Sequence, residues 1–262
     1  MANLELEQAL DVARNAVKAA ADASLRYFGR SGGELGLTFK PDQSPVTLAD
    51  QAAEEAILKV IRAHFPDHQI LTEESGVHAG RDTRYRWIID PLDGTRGFSR
   101  GGSHWGPLIA LEVDGEVVVG ATCLPPVGQH YWAARGLGTF RDGTKLTLSS
   151  IDRWEAATLS LGEIHKLLTP ALAPVMTAIA TSCASTRSYG DVAGCTLLLD
   201  GRADAWIEAG VQIWDLAPHK ILVEEAGGIF TDLNGNKTIS AGHCLAANSV
   251  LHAQLLSRLV AR

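Results

Sequence analysis

The sequence contains little cysteine, and its four cysteines show no pairing pattern. No two of them have the C-x-x-C spacing, and they stand far apart, at Cys123, Cys183, Cys195 and Cys244. This argues against a cysteine-based zinc site and favours reduced thiols over a disulfide framework. We therefore expect a cytoplasmic protein.

The sequence also lacks the features of a membrane or nucleic-acid protein. No run of about 18 apolar residues occurs, so we expect no membrane span. Residues 1–28 lack the basic start and continuous apolar stretch of a signal peptide. The formal net charge of −7 argues against nucleic acid or an anionic membrane as a partner. A small anionic substrate is still permitted, because a bound cation reverses the local sign of charge.

Three common catalytic motifs are missing as well. The chain has no G-x-S-x-G elbow, no Walker loop and no G-x-G-x-x-G turn. The cysteines show no pattern of partners that would suit thiol catalysis. What stands out instead is a set of acidic residues that follow apolar strands.

The first part of the chain, residues 1–150, is predicted to hold two helices and an antiparallel sheet. Apolar residues at three- and four-residue steps predict a helix over residues 6–28 that ends at Gly29. A second helix is predicted to begin within residues 47–50. Residues 85–148 are mostly strand-like, and the Asp-Gly pairs in "VDGEV" and "RDGTK" are typical of hairpins.

The second part, residues 151–262, alternates between strand-like and helical stretches and predicts an α/β unit. Two stretches are clearly helical, "DVAGCTLLLD" and "WDLAPHKILVEEAGG", and the second ends at a glycine pair. "NSVLHAQLLSRLV" predicts a closing helix with Asn248 or Ser249 as its cap. We expect 1–150 to carry most of the acidic site and 151–262 to complete it.

The stretch "RWIIDPLDGTRGF" places Asp90 and Asp93 at the end of an apolar strand. The proline between them stiffens the backbone and can aim the Leu92 carbonyl with both carboxylates. Carboxylate and carbonyl oxygens suit Mg²⁺, Mn²⁺ or Ca²⁺. Gly94 permits close approach of a ligand to the backbone, and Thr95 adds a hydroxyl. A plain turn explains this motif about as well as a metal site that holds a phosphate.

Other acids have both a structural and a functional interpretation. Glu73 and Glu74 in "TEES" follow the apolar "QIL" strand, although tandem glutamates are common on solvated surfaces. Asp215 in "IWDLAPH" is a possible helix cap, but a proline three residues later would weaken that role. Asp50 in "VTLADQAAE" could simply complement a helix dipole.

Taken together, these segments resemble the inositol monophosphatase family of metal-dependent phosphomonoesterases. The resemblance runs through "SPVTLADQAAE", "ILTEES", "WIIDPLDGTRGF" and "WDLAPHKILVEEAGG", in the family's order and over nearly the whole chain. It implies an α/β fold, a layered αβαβα sandwich like that of fructose-bisphosphatase, assembled as a homodimer. It also implies hydrolysis of a small phosphorylated metabolite by metal-activated water.

The resemblance also implies roles for individual residues. Mg²⁺, or Mn²⁺, would bind as two to three ions. The ligands would be Glu73, Asp90, the Leu92 carbonyl, Asp93 and Asp215, with Asp50 near a weaker ion. Gly94 and Thr95 would seat the phosphate, and Thr95 with Glu73 would activate water. Catalysis would rest on Glu73, Thr95 and Asp93, supported by Glu74 and by Lys40 on a loop that resembles the family's mobile one.

Two segments resemble the histidinol-phosphatase branch of the family. "FSRGGSHWGPLIAL" has Arg-Gly before Trp105, and "TRSYGDVAG" places Asp191 after a glycine and contains Arg187. Against this, Glu208 resembles the acid that contacts sugar hydroxyls in inositol monophosphatases, and Gly97 stands where both branches commonly have Asn.

Charge favours histidinol phosphate over myo-inositol 1-phosphate as the substrate, because Asp191 and Glu208 would suit an ammonium and an imidazole. We also predict that Arg187 contacts the substrate, as Asp191 and Glu208 would. Asp191 could instead cap the helix that follows it. The alternative from another class is a non-catalytic protein that binds metal or anions on the same scaffold.

Overall fold

The computed structural model describes residues 3–30 and 32–261, and its helices follow the predicted apolar periodicity. The first helix ends at Leu25, earlier than predicted, so Phe28 lies beyond it and packs 5.3 Å from Trp105 between ring centroids. The helices are α1 Asn3–Leu25, α2 Leu48–His64, α3 Thr95–Phe98, α4 Ile164–Leu167, α5 Ala173–Ser182, α6 Asp191–Leu199, α7 Ile213–Glu225 and α8 Ser249–Val260.

The strands form a short hairpin and two larger sheets. The hairpin pairs β1 Thr38–Phe39 with β2 Pro45–Val46. The strands of the first large sheet are β3 His68–Thr72, β4 Gly76–His78, β5 Asp82–Asp93, β6 Gly106–Val113, β7 Glu116–Leu124, β8 Gln129–Ala134, β9 Gly138–Arg141 and β10 Thr144–Leu146. Those of the second are β11 Thr158–Leu161, β12 Ser185–Arg187, β13 Ala205–Ala209, β14 Ile229–Thr231 and β15 His243–Ala247.

The first sheet has the order β10-β9-β8-β7-β6-β5-β3-β4 and is mainly antiparallel, as predicted. Both Asp-Gly pairs form hairpin turns, one between β6 and β7 and one between β9 and β10. One pair of strands departs from the predicted antiparallel sheet, because β3 runs parallel to β5. The carboxyl ends of these two strands therefore meet at the same edge of the sheet.

Side chains alternate between the two faces of each strand, so each sheet packs against a separate layer of helices on either face. On β5, Trp87 and Ile89 pack toward α1 and α2, whereas Ile88 packs toward α6 and α7. On β15, Ala246 faces the same middle layer and Leu245 faces α5 and α8. The order is thus helices, eight-stranded sheet, helices, five-stranded sheet, helices, which confirms the predicted αβαβα sandwich.

Helix α7 packs on both large sheets and joins the two parts of the chain. The eight-stranded sheet comes from strands before residue 150, and the five-stranded sheet from strands after it. A division into two domains at this residue stays a prediction. No helix in the described ranges combines the length and the apolar character needed to cross a membrane.

Substitution of Gly106 tests the packing of the strands beside the site. A Cβ at this position would lie 1.8 Å from the backbone oxygen of Cys123 on the neighbouring strand. We expect Gly106→Ala to lower the free energy of unfolding by about 1–3 kcal/mol in urea titrations, because the backbone must move. Gly33→Ala is the control, since a Cβ there meets no atom within 4 Å. Equal stability of the two variants would contradict this packing.

Candidate active site

Three chain segments bring acidic residues to the shared edge of β3 and β5. Glu73 directly follows β3, and its backbone N–H donates to the Ile89 carbonyl on β5 at 3.1 Å. Asp90 and Asp93 end β5 itself, and a register shift lies between them in the pairing with β6. Helix α7 begins close by and contributes Asp215. The parallel pair is thus the reason that these side chains meet.

Asp90 and Asp93, which are buried, form one cluster with the half-buried Asp215. Each offers a carboxylate oxygen, and these atoms all lie within 4.8 Å of one another. The backbone holds all three carboxylates in place. The Leu92 N–H donates to Asp90 at 2.9 Å and the Gln212 N–H to Asp215 at 2.6 Å, while the Val192 N–H donates to Asp93.

The cluster concentrates negative charge away from water. Burial, followed by repulsion from neighbouring carboxylates, holds the pKa of Asp90 and of Asp93 well above its usual range. Burial is also the main cause that raises the pKa of Asp215 to about 7, against the hydrogen bond from Gln212. In the described part of the chain, no Lys, Arg or His forms an ion pair with any of the three. The cluster therefore lacks a counter-charge of its own.

These residues fit a divalent metal. All the donors are carboxylate oxygens, the hard ligands that Mg²⁺, Mn²⁺ and Ca²⁺ prefer. A cation would offset both the burial and the mutual repulsion of the three carboxylates. The carbonyl of Leu92, on the same turn, would add a fourth oxygen of the same type. The arrangement can hold a metal and, through it, an anionic group.

Lys40 connects the hairpin loop to the two glutamates. Its Nζ donates to Glu73 Oε1 at 2.8 Å and to Glu74 Oε1 at 2.9 Å. Burial raises the pKa of Glu74 to about 7, although the hydrogen bond from Lys40 opposes this shift. The ammonium thus pairs with Glu73, whose charge also helps to raise the pKa of Asp90 and of Asp215.

Thr95 and Asp50 form a second contact between α2 and the turn after β5. Thr95 Oγ1 lies 2.9 Å from Asp50 Oδ1 and 2.9 Å from the Leu92 carbonyl. Asp50 also accepts hydrogen bonds from the N–H and hydroxyl of Thr47 at the start of α2. Burial raises the pKa of Asp50 despite these donors. Asp50 thus acts in a helix cap and as an acceptor for Thr95.

Gly94 allows the backbone to turn tightly between β5 and α3. Its φ of 83° lies in the left-handed region that glycine tolerates. A Cβ there would also come 2.8 Å from the His104 carbonyl. Only glycine therefore fits without moving the loop that follows α3.

Asp191 and Glu208 lie beside this cluster, and their charges help to raise the pKa of Asp93. Gly162 and Gly190 cover the Glu208 carboxylate so closely that Cβ atoms on them would lie 1.7 and 2.7 Å from Glu208 Oε1. Asp191 follows Gly190 directly and has a strained φ of 55°. Burial raises the pKa of Asp191 to about 6 and that of Glu208 to about 8, and in Glu208 the charge of Asp191 adds to the effect.

Two groups that contact Glu208 were missed from the sequence. The Glu163 N–H donates to Glu208 Oε1 at 2.9 Å, and Trp206 Nε1 donates to Oε2 at 3.0 Å. Trp206 could have been found, because residues two apart on a strand share a face. Glu163 carried no such signal, since its contact depends on how β11 lies beside β13.

Arg187 is not brought to the cluster by any described contact. It is exposed on β12, the edge strand of the five-stranded sheet, and its guanidinium donates to the Thr186 carbonyl at 2.8 Å. Its role in substrate binding stays a prediction.

Neither Asp191 nor Asp215 is the N-cap residue of its helix, although Asp215 belongs to a capping box. Helix α7 begins at Ile213 with Gln212 as its cap, so Asp215 is the third helical residue and accepts the Gln212 N–H. The proline after it lies inside the helix. Helix α6 is capped by Gly190 without a side-chain bond, so Asp191 is the first helical residue and does not cap. Asp215 thus contributes to the cap of α7 from its third helical position, as Asp50 does in α2, whereas Asp191 does not cap α6.

The pH dependence of stability tests the burial of Glu208. Its pKa of about 8 in the folded protein exceeds the ordinary value of 4.5, so the folded state binds the proton more tightly. Its contribution to stability is complete below pH 4.5 and is lost as pH rises toward 8. In EDTA we expect the free energy of unfolding to fall by about 1–3 kcal/mol more in the wild type than in Glu208→Gln between pH 5 and 8.

Urea titrations at both pH values would measure this difference. Glu116→Gln is the control, because Glu116 is an exposed residue that pairs only with Arg135 on the surface. Equal pH slopes in the wild type and Glu208→Gln would contradict the burial of this carboxylate.

Comparisons with known proteins show to which family this chain belongs. The family model described as "Inositol monophosphatase family" matches residues 5–262. A histidinol-phosphatase of Chlorobaculum parvum is 37% identical over 256 residues, which cover 97% of this chain and 96% of that protein. A protein named Nus factor SuhB, from Pasteurella multocida, is 34% identical over 254 residues and 95% of each chain.

A solved structure, the inositol monophosphatase of Anabaena (Nostoc), superposes with a TM-score of 0.86 at 30% identity. The match covers 98% of this chain and 97% of that one. Together with the family model, the relatives support a phosphoric monoester hydrolase. The chain belongs to the inositol monophosphatase family.

Proposed function

We propose that the protein is a Mg²⁺-dependent phosphomonoesterase that hydrolyses L-histidinol phosphate to histidinol and phosphate. The observation that carries this proposal is the cluster of the buried Asp90 and Asp93 with the half-buried Asp215, which has no cationic side chain paired with it among the described residues. A divalent metal and a phosphate of opposite charge complete such a site. Gly94 and Thr95 lie on the turn that would face the phosphate.

The metal would be held by Asp90, Asp93, Asp215, the Leu92 carbonyl and Glu73. When bound, it would offset charge on the phosphoryl oxygens and lower the pKa of a water molecule. Lys40 pairs with Oε1 of Glu73, so Oε2 is the oxygen that Glu73 would offer to the metal. Mn²⁺ suits the same oxygen donors, and we propose two to three ions per site on the family's pattern.

Thr95 is placed to orient the attacking water. Its hydroxyl has one proton, which it donates to either Asp50 or the Leu92 carbonyl. The oxygen lone pairs of Thr95 then remain available to accept a hydrogen bond from water. Glu73, on the adjacent strand end, would accept the second water proton. The water oxygen would attack phosphorus as the ester P–O bond breaks, and the proton that Glu73 takes from the water would pass on to the leaving alcohol oxygen.

Asp191 and Glu208 would hold the leaving group. Both carboxylates are largely withdrawn from water, and a substrate ammonium would offset the resulting energetic cost. This charge match and the similarity to a histidinol-phosphatase over nearly the whole chain favour histidinol phosphate. With myo-inositol 1-phosphate, the alternative substrate, Glu208 would instead accept hydrogen bonds from ring hydroxyls. We further propose a cytoplasmic homodimer, as the family resemblance implies.

Substitution of Asp93 tests the catalytic role of the cluster. We expect Asp93→Asn to reduce phosphate release by at least about 100-fold, because a metal ligand and its charge are lost. The fold should survive, since the change removes repulsion from a crowded site. Asp114→Asn, in the exposed β6–β7 turn, is the control. Turnover by Asp93→Asn at the wild-type rate, with unchanged circular dichroism, would contradict the assignment.

A direct comparison of substrates tests the specificity. Phosphate release from L-histidinol phosphate and from myo-inositol 1-phosphate would be measured in Mg²⁺, with EDTA as the control. We expect the higher kcat/KM for histidinol phosphate and no release in EDTA. A preference for the inositol ester would reassign Glu208 to hydroxyl binding. Release from neither, with metal bound, would favour the non-catalytic alternative.

A further inference from the structure

One exposed aromatic pair borders the site and has no role in the proposed chemistry. The rings of His104 and Tyr189 lie 4.9 Å apart between centroids, at an interplanar angle of 35°. Tyr189 leaves 42% of its surface exposed, and His104 is exposed as well. We call these two side chains the aromatic rim.

The backbone of each rim residue is fixed against the site. The His104 carbonyl lies where a Cβ on Gly94 would be, 2.8 Å from it, so His104 borders the turn of the proposed phosphate seat. The Tyr189 carbonyl accepts a hydrogen bond from Ser160 Oγ at 3.0 Å, which turns this carbonyl inward. Asp191 follows two residues later. The rim therefore connects the loop beside the phosphate seat with the loop that carries Asp191.

The two rim residues border both ends of the proposed site. His104 adjoins Gly94, where the phosphate would bind, and Tyr189 precedes Asp191, at the leaving-group end, by two residues. Exposed aromatic faces pack favourably against planar rings at centroid distances of about 4.5–7 Å. An aliphatic leaving group would gain less from the same surface, because it has no ring to stack.

We infer that the aromatic rim of His104 and Tyr189 selects phosphate esters whose leaving group carries a planar ring. The inference rests on the proposed phosphomonoesterase activity and narrows its substrate class. Tyr189 supplies the larger exposed face, and His104 supports it from the loop after α3. Selection should appear in KM rather than in kcat, because the rim lies away from the reacting phosphorus.

The test compares esters with and without a ring. Initial rates would be measured in Mg²⁺ with L-histidinol phosphate and phenyl phosphate as ring esters and glycerol 2-phosphate as the ringless ester. We expect Tyr189→Leu to raise KM for both ring esters by about threefold to tenfold and to leave KM for glycerol 2-phosphate unchanged. Tyr189→Phe, which keeps the ring, should restore the wild-type KM.

The chain offers a matched control in a second His–Tyr pair. His68 and Tyr85 stack with centroids 4.4 Å apart, at the opposite end of β3 and β5 from the acids. Tyr85 precedes Asp90 by five residues on β5, a distance of roughly 17 Å. Tyr85→Leu should change none of the three KM values. His104→Leu gives a second variant of the rim should Tyr189→Leu fold poorly.

The outcomes separate this inference from the proposed substrate. An equal change of KM for all three esters, or no change for any of them, in both rim variants would overturn the inference. Should the wild type hydrolyse phenyl phosphate but not L-histidinol phosphate, the proposed substrate would be wrong. A rim-dependent KM for phenyl phosphate would then still support selection for a ring.

Discussion

Uncompensated negative charge in a buried place is the constraint on which this site depends. Asp90, Asp93 and Asp215 hold carboxylate oxygens within 4.8 Å of one another, in a medium that screens charge poorly. The fold holds them there with backbone N–H donors from three elements, at Leu92, Val192 and Gln212. These donors fix the positions of the carboxylates, but they do not remove the repulsion. A divalent cation removes this repulsion, which explains why a metal-dependent family uses this geometry.

The topology of the middle layer makes this concentration of charge possible. The parallel pair of β3 and β5 places Glu73 beside the end of β5, and helices α6 and α7 both begin at the same edge. Because α7 packs on both large sheets, it ties the Asp215 carboxylate to the five-stranded sheet as well. The site thus lies at the start of the helix that packs on both large sheets.

Much of this could be predicted from the sequence, because the features concerned are local. Apolar periodicity, Asp-Gly turns and strands that end in acids depend on neighbouring residues, and they located the main helices, the hairpins and the acidic segments. The parallel pairing of β3 with β5 escaped prediction, since pairing is decided by contacts distant in sequence. For the same reason, the contact of Glu163 with Glu208 and the exposed position of Arg187 could not be anticipated.

The charges at the two ends of the site, the aspartate cluster and the pair of Asp191 and Glu208, act on each other. The Val192 N–H that holds Asp93 belongs to the residue after Asp191, and Asp191 lies against the buried carboxylate of Glu208. A positive charge bound at either end therefore reduces the repulsion that acts at the other end. By linkage, the metal and a cationic leaving group change each other's affinity by the same factor. The two cations repel each other directly, so the size of this factor depends on how well the carboxylates between them screen that repulsion. A neutral leaving group takes no part in this coupling. This gives the proposed enzyme a physical means of distinguishing an amino alcohol from a sugar alcohol that contact geometry alone would not provide.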